Sequence, residues 1–183
     1  MIDITLEGQR QAQVLLAIAP KQAQAAARAA TSRAITHARS NISKTVRARY
    51  IVTAKRVKQS LEITRPRGSN LVGTISSKGH RLNIDAFKVS NNKRGPLKVK
   101  VLRHGSLKAV RGLFARPHGG GDKSKYLMRT TAKRYPLTVP IGLAVPQMVG
   151  SRHVIDSVAD DANEYMAKRY LHEIEYRLGR EMA

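Results

Sequence analysis

The chain of 183 residues carries 34 Lys and Arg against 12 Asp and Glu, a formal charge of +22, with no Cys, no Trp and 4% aromatic residues. Lack of Cys excludes disulfides, thiol nucleophiles and cysteine metal sites, and the length suits one modest core built from Ala, Val, Ile and Leu. So large a positive charge draws a protein to polyanions such as nucleic acid, without by itself defining a function.

In chain order, residues 2–6 suit a short strand, and the N-terminus lacks the basic region of a secretory signal. Glu7 to Ala19 has helical composition, and its apolar run from Val14 is too short to cross a bilayer, so a soluble chain without membrane contact is expected. Pro20 suits the first turn of a long helix, rich in Ala from Gln22 to Ala30. Ile35, Ala38, Ile42 and Val46 continue its apolar stripe at spacings of three and four, while Arg28, Arg33, Arg39, Lys44 and Arg47 occupy the other faces. Thr53 can cap a short helix from Ala54 to Leu61, stopped by Arg65-Pro66-Arg67-Gly68.

Strands are predicted at Asn70–Ser76, Leu97–Leu102, Gly112–Ala115 and Tyr126–Thr131, forming one antiparallel sheet of three to five strands. The segments 90–96 and 117–123, rich in breakers and positive charge, read as loops that are either mobile or ordered only in an assembly. After a Pro-rich stretch, Pro136 to Pro146, a helix is predicted from His153 to Arg180. Its apolar stripe is Val158, Ala162, Met166, Tyr170, Ile174 and Leu178, flanked by Ile155 and Leu171, and Asp156, Asp160 and Asp161 lie toward its N-terminal end, where the helix dipole favours acids. The reading is one α+β domain over 1–183: long N-terminal helices in an arm over 1–62, a central, mostly antiparallel sheet with basic loops over 63–150, and a C-terminal helix over 151–183 packed on the sheet.

Signatures of catalysis are weak. Gly119-Gly120-Gly121 lacks the following Lys and Ser or Thr of a phosphate loop, and His172-Glu173-Ile174-Glu175-Tyr176 places Tyr where a zinc-peptidase helix needs its second His. The latter reads as ordinary helix surface. The six His are dispersed, so no enzyme activity, metal or cofactor is expected.

Charge is the surviving signal, because residues 8–152 hold 30 of the 34 basic residues and three acids, whereas 153–183 hold seven acids and four basic residues. Lys93, Arg94, Lys98, Lys100, Arg103, Lys108, Arg111, Arg116, Lys123 and Lys125 form the candidate DNA- or partner-facing set. With few aromatics among them, the expected mode is sequence-independent contact with phosphates. An alternative is a sequence-specific regulator with a helix-turn-helix over 42–61, broken at Tyr50-Ile51-Val52 and carrying Lys55, Arg56 and Lys58 on its second helix.

The order of segments resembles the minor tail protein Z family of tailed bacteriophages. The resemblance spans most of the chain: the Ala- and Arg-rich helix leading into Arg49-Tyr50-Ile51-Val52-Thr53-Ala54-Lys55-Arg56-Val57, then Leu71-Val72-Gly73-Thr74-Ile75-Ser76, Val99-Lys100-Val101, Gly112-Leu113-Phe114-Ala115, Pro140 to Gly150 with Val145-Pro146-Gln147-Met148, and His172-Glu173 followed by Tyr176-Arg177-Leu178. These are soft patterns of apolar and basic residues with no active site to carry over. What the resemblance implies is a virion protein made in the host cytoplasm, a tail completion factor at the head-proximal end, assisting head-tail joining and positioning of the genome end. Its implied partners are the tail terminator, neck or head-completion proteins and, without specificity, genomic DNA; tail symmetry suggests a self-associated ring of six, as cyclic assemblies require.

Overall fold

Pro20 opens helix α1 (Pro20–Arg49), whose 30 residues start at a position where proline's missing N–H costs nothing. Helix α2 (Ala54–Ser60) follows after a break, then β1 (Leu61–Thr64), β2 (Thr74–Ser77), β3 (Arg81–Asn83), a single 3₁₀ turn at Ile84–Ala86, and β4 (Lys88–Val89). Next come β5 (Lys98–Lys100), β6 (Lys108–Ala109), β7 (Leu113–Ala115), β8 (Tyr126–Arg129), β9 (Leu137–Thr138), β10 (Ile141–Ala144), α3 (Val145–Val149) and α4 (Arg152–Glu181). The computed structural model describes residues 17, 19–90, 96–116 and 125–181; the strand expected at 2–6, most of the helix expected at 7–19 and most of the two breaker-rich loops lie outside them. The fold is α+β, with long helices at both ends and small antiparallel sheets between.

The sheets differ from the single one expected. Strands of two to four residues pair as β1–β2, β10–β3, β4–β5–β6 and β7–β8–β9. Gly and Pro recur too often between residues 66 and 146 for a strand to propagate, so each sheet closes after two or three members. The run expected over Leu97–Leu102 shows this. Its ladder ends at Lys100, after which Leu102 bridges Tyr50 and Ile51 N–H donates to Val101 carbonyl.

The chain forms two compact units: Met1–Ile42, Leu61–Ser76 and Arg152–Ala183 in the first, Ser43–Ser60 and Ser77–Ser151 in the second. In the first, Ala23, Ala26, Ala30, Ala34, Ile35 and Ala38 are buried along one face of α1. Such small side chains allow close helix approach, and α4 takes it, running antiparallel with Ile174 fully buried against Ala23 and Ala26, and Tyr170 and Leu178 beside it. Farther along, the ring of His37 stacks on Tyr165 at 4.1 Å between centroids. Asp161 accepts from Asn41 at 2.8 Å and lies 2.7 Å from His37 Nε2, so this acid fastens α4 to α1 rather than serving only the helix dipole. Gly73 has no freedom to change, because a Cβ there would sit 1.9 Å from the Ile35 side chain.

The core of the second unit gathers Val46, Tyr50, Val52, Val57, Ile84, Phe87, Leu97, Val99, Leu113, Val145 and Met148. Phe87 packs so closely on β10 that a Cβ at Gly142 would approach its ring to 2.5 Å. Gly112, at φ +76°, turns the chain into β7.

Candidate functional site

Register decides which of the basic residues share a surface. In β4–β5–β6, Lys88 stands opposite Lys100, Val89 opposite Val99, Lys98 opposite Ala109 and Val99 opposite Lys108. Facing residues of an antiparallel pair project to the same side, and neighbours along a strand to opposite sides. Lys88, Lys98 and Lys100 therefore occupy one face, while Val89 and the buried Val99 occupy the other together with Lys108. The hairpin is closed by Ser90, whose N–H donates to the Lys98 carbonyl and whose hydroxyl accepts from the Lys98 N–H.

In β7–β8–β9, Phe114 faces Leu127 and Arg129 faces Leu137, which sets Phe114, Leu127 and Arg129 on one side. The Arg129 guanidinium lies 5.0 Å from the centroid of the Phe114 ring, a cation–π contact that holds it in place. One step beyond the ladder, Arg116 N–H donates to the Lys125 carbonyl at 2.8 Å, and continued alternation adds Arg116 and Lys125 to the same side. The backbone N–H of Lys125 donates to Asp85, tying this hairpin to the turn after β3.

The ten residues expected to form one cationic set are thus divided. Lys98 and Lys100 share a face, Arg116 and Lys125 share another, Lys108 turns away from the first, and Arg111 stands exposed in the turn before β7. Lys93, Arg94 and Lys123 lie outside the described residues. Arg103, exposed, also serves the fold, since its Nε donates to the Arg47 carbonyl and its backbone N–H to the Arg49 carbonyl, both at 2.8 Å, satisfying the open end of α1. Two cations were missed. Lys88 belongs with Lys98 and Lys100, and its signal was the alternating Lys88-Val89 before a breaker loop and a second alternating run. Arg129, the other, was marked only by its spacing from Leu127 on a strand already expected.

Like charges directly opposite on a ladder destabilise it, by roughly 0.2–1 kcal/mol on the usual scale of cross-strand pairs. Lys88 facing Lys100 therefore costs stability, and a bound polyanion would relieve it. The wider distribution points the same way. The second unit holds 22 of the 34 Lys and Arg but two of the 12 acids, so +20 of the formal +22 resides there.

Glu173, expected on ordinary helix surface, is instead buried at 5% exposure. Arg33 and Arg177 donate to its two oxygens, and Arg169 lies 3.6 Å away. Burial pushes this carboxyl up, but the hydrogen bonds from Arg177 and Arg33 and their positive charge outweigh it and hold the group below the usual carboxylate range. Near the end of α4, Gln22, Tyr176, Arg177 and Arg180 line a cleft of about 270 Å³. Among the described residues, no three His, Asp or Glu gather as metal ligands, and no helix is long and apolar enough to cross a membrane.

No family model, curated protein or solved structure matches the chain.

Proposed function

We propose that the chain is a structural protein of a bacteriophage virion, a tail completion factor at the head-proximal end of the tail, whose second unit contacts the phosphate backbone of the genome end without reading its sequence. The observation that carries the DNA contact is the concentration of +20 in one unit, with lysines tolerated face to face on its surface. The tail role rests on the resemblance of segment order. Lys88, Lys98 and Lys100 supply point charges on a short hairpin, suited to phosphates and not to the paired hydrogen bonds that read base edges.

Mass spectrometry of purified virions and separated tails tests the reading. Presence in a small multiple of six copies per tail supports it, and absence from both particles overturns it. The DNA contact is tested separately by Lys88→Gln, Lys98→Gln and Lys100→Gln together, expected to weaken binding to unrelated duplexes equally and to flatten its salt dependence.

The alternative, a sequence-specific regulator, draws on Lys55, Arg56 and Lys58, which are exposed on α2 after a real break at residues 50–53. However, α2 has seven residues and leads directly into β1, a short element for presenting several side chains to a groove. A preference for one duplex sequence at physiological salt would favour the regulator.

A further inference from the structure

Strand β10 has an apolar outer face. Pro140 and Ala144 are buried and Gly142 lies under Phe87, whereas Val139, Ile141 and Leu143 are 41%, 56% and 37% exposed. One edge of β10 pairs with β3, and the other bears no strand among the described residues. Proteins usually protect such an edge with charge, proline or a covering element, and here the outward positions carry three branched apolar side chains. A cation stands at the strand's end: Arg81, level with Ala144 in the register and exposed, while Lys133 and Arg134, also exposed, precede the strand in the chain.

What covers this face must be apolar at its centre and negative at its edge. A second copy presenting the same strand would set one +20 unit against another. The first unit of a second copy is complementary. On α4, Asp156, Asp160 and Glu164 lie exposed on successive turns, with Ile155 beside them 51% exposed. Asp156 and Glu164 are attended by Arg152 and Lys168 on the same helix, while Asp160 has no ion pair among the described residues.

We infer that the outer face of β10 is a docking surface for a second copy of this chain, which presents the Ile155–Glu164 ridge of α4. Such a contact joins two different surfaces, so each copy retains one free donor and one free acceptor, and successive copies build a ring or a filament. Charge sets the pairing and the apolar centre supplies the burial. The contact is independent of the tail role, which particle composition tests; this one is read on the purified chain.

The experiment is sedimentation velocity on nucleic-acid-free full-length protein over a range of concentrations. One variant carries Ile141→Lys and Leu143→Lys, the other Asp160→Lys and Glu164→Lys. Wild type is expected to associate, each variant alone to weaken association at least about tenfold, and an equimolar mixture of the two to give a 1:1 pair and nothing larger. Circular dichroism confirms that each variant keeps its helices; if one does not, Ile141→Ser or Asp160→Asn replaces it. Wild type remaining monomeric up to about 100 μM overturns the proposal. So does undiminished association of the α4 variant alone, or failure of two folded variants to pair on mixing.

Discussion

The two units of this chain treat charge in opposite ways. The first holds 12 Lys and Arg with ten acids, and its contacts are internal: Glu173 with Arg33, Arg169 and Arg177, and Asp161 with His37 and Asn41. The second holds 22 with two, and at least one pair of its lysines meets across a strand ladder. Charge matched within a fold helps to specify that fold, whereas charge left unmatched, and even opposed, reports on something outside it.

If the first unit is held by its helix pair, truncation there should have the largest effect. Ile174→Ala removes a fully buried side chain from between two alanines that cannot expand to fill the space, and should lower unfolding stability by about 3 kcal/mol in urea titration. Glu173→Gln tests the electrostatic half of the same packing. It removes the acceptor charge of three guanidiniums, for an expected loss of about 2 kcal/mol, smaller than for a fully buried pair because Arg33 is 49% exposed.

The second effect has a pH signature. Because the folded Glu173 titrates below its ordinary value of 4.5, its contribution is complete above that value and disappears as pH falls through the lower folded value. The difference in urea midpoint between wild type and Glu173→Gln should therefore be constant from neutral pH to about 5 and shrink below. A difference that persists unchanged at pH 3 would show that shape, not charge, holds the helices.

Much of the helical frame was legible. The spacing of Ile35, Ala38, Ile42 and Val46 identified the buried face of α1, because apolar residues three and four apart line up on one side of a helix and would scatter over both sides of a strand. The stripe on α4 was less faithful: Val158 and Ile174 are buried, but Ile155 is exposed and Val154, outside the expected stripe, is 1% exposed. Glu173 was misread because a buried carboxylate is recognisable only through its partners, one of which lies 140 residues away. Which members of the cationic set share a face was hidden for a related reason. Composition marks a stretch of chain dense in charge, but one residue of register moves a lysine to the other face of a sheet, as Lys108 against Val99 shows.

A polyanion should stabilise the second unit and leave the first nearly untouched. With a short duplex at about 100 times its dissociation constant, linkage predicts about 2.7 kcal/mol for the bound unit. Hydrogen exchange locates it: amides of β4, β5, β7 and β8 are expected to gain protection, and those of α4 around Ile174 to exchange as before. Equal protection in both would show that the charge division does not govern binding.

The smallest expected effect is the most particular to this surface. Lys100→Thr removes one member of the facing Lys88–Lys100 pair, adds a residue favoured in strands and leaves Val99 in its buried position. If the pair is a cost tolerated for binding, the variant should gain a few tenths of a kcal/mol, at most about 1 kcal/mol, in urea titration. It should at the same time lose duplex affinity uniformly across sequences and reduce the salt slope by roughly one counterion. Opposite signs for stability and affinity from one substitution are what separates a surface shaped by its ligand from a merely soluble one. A variant that loses both would show that Lys100 supports the hairpin, and one that gains stability with unchanged affinity would show that Lys100 takes no part in binding the duplex.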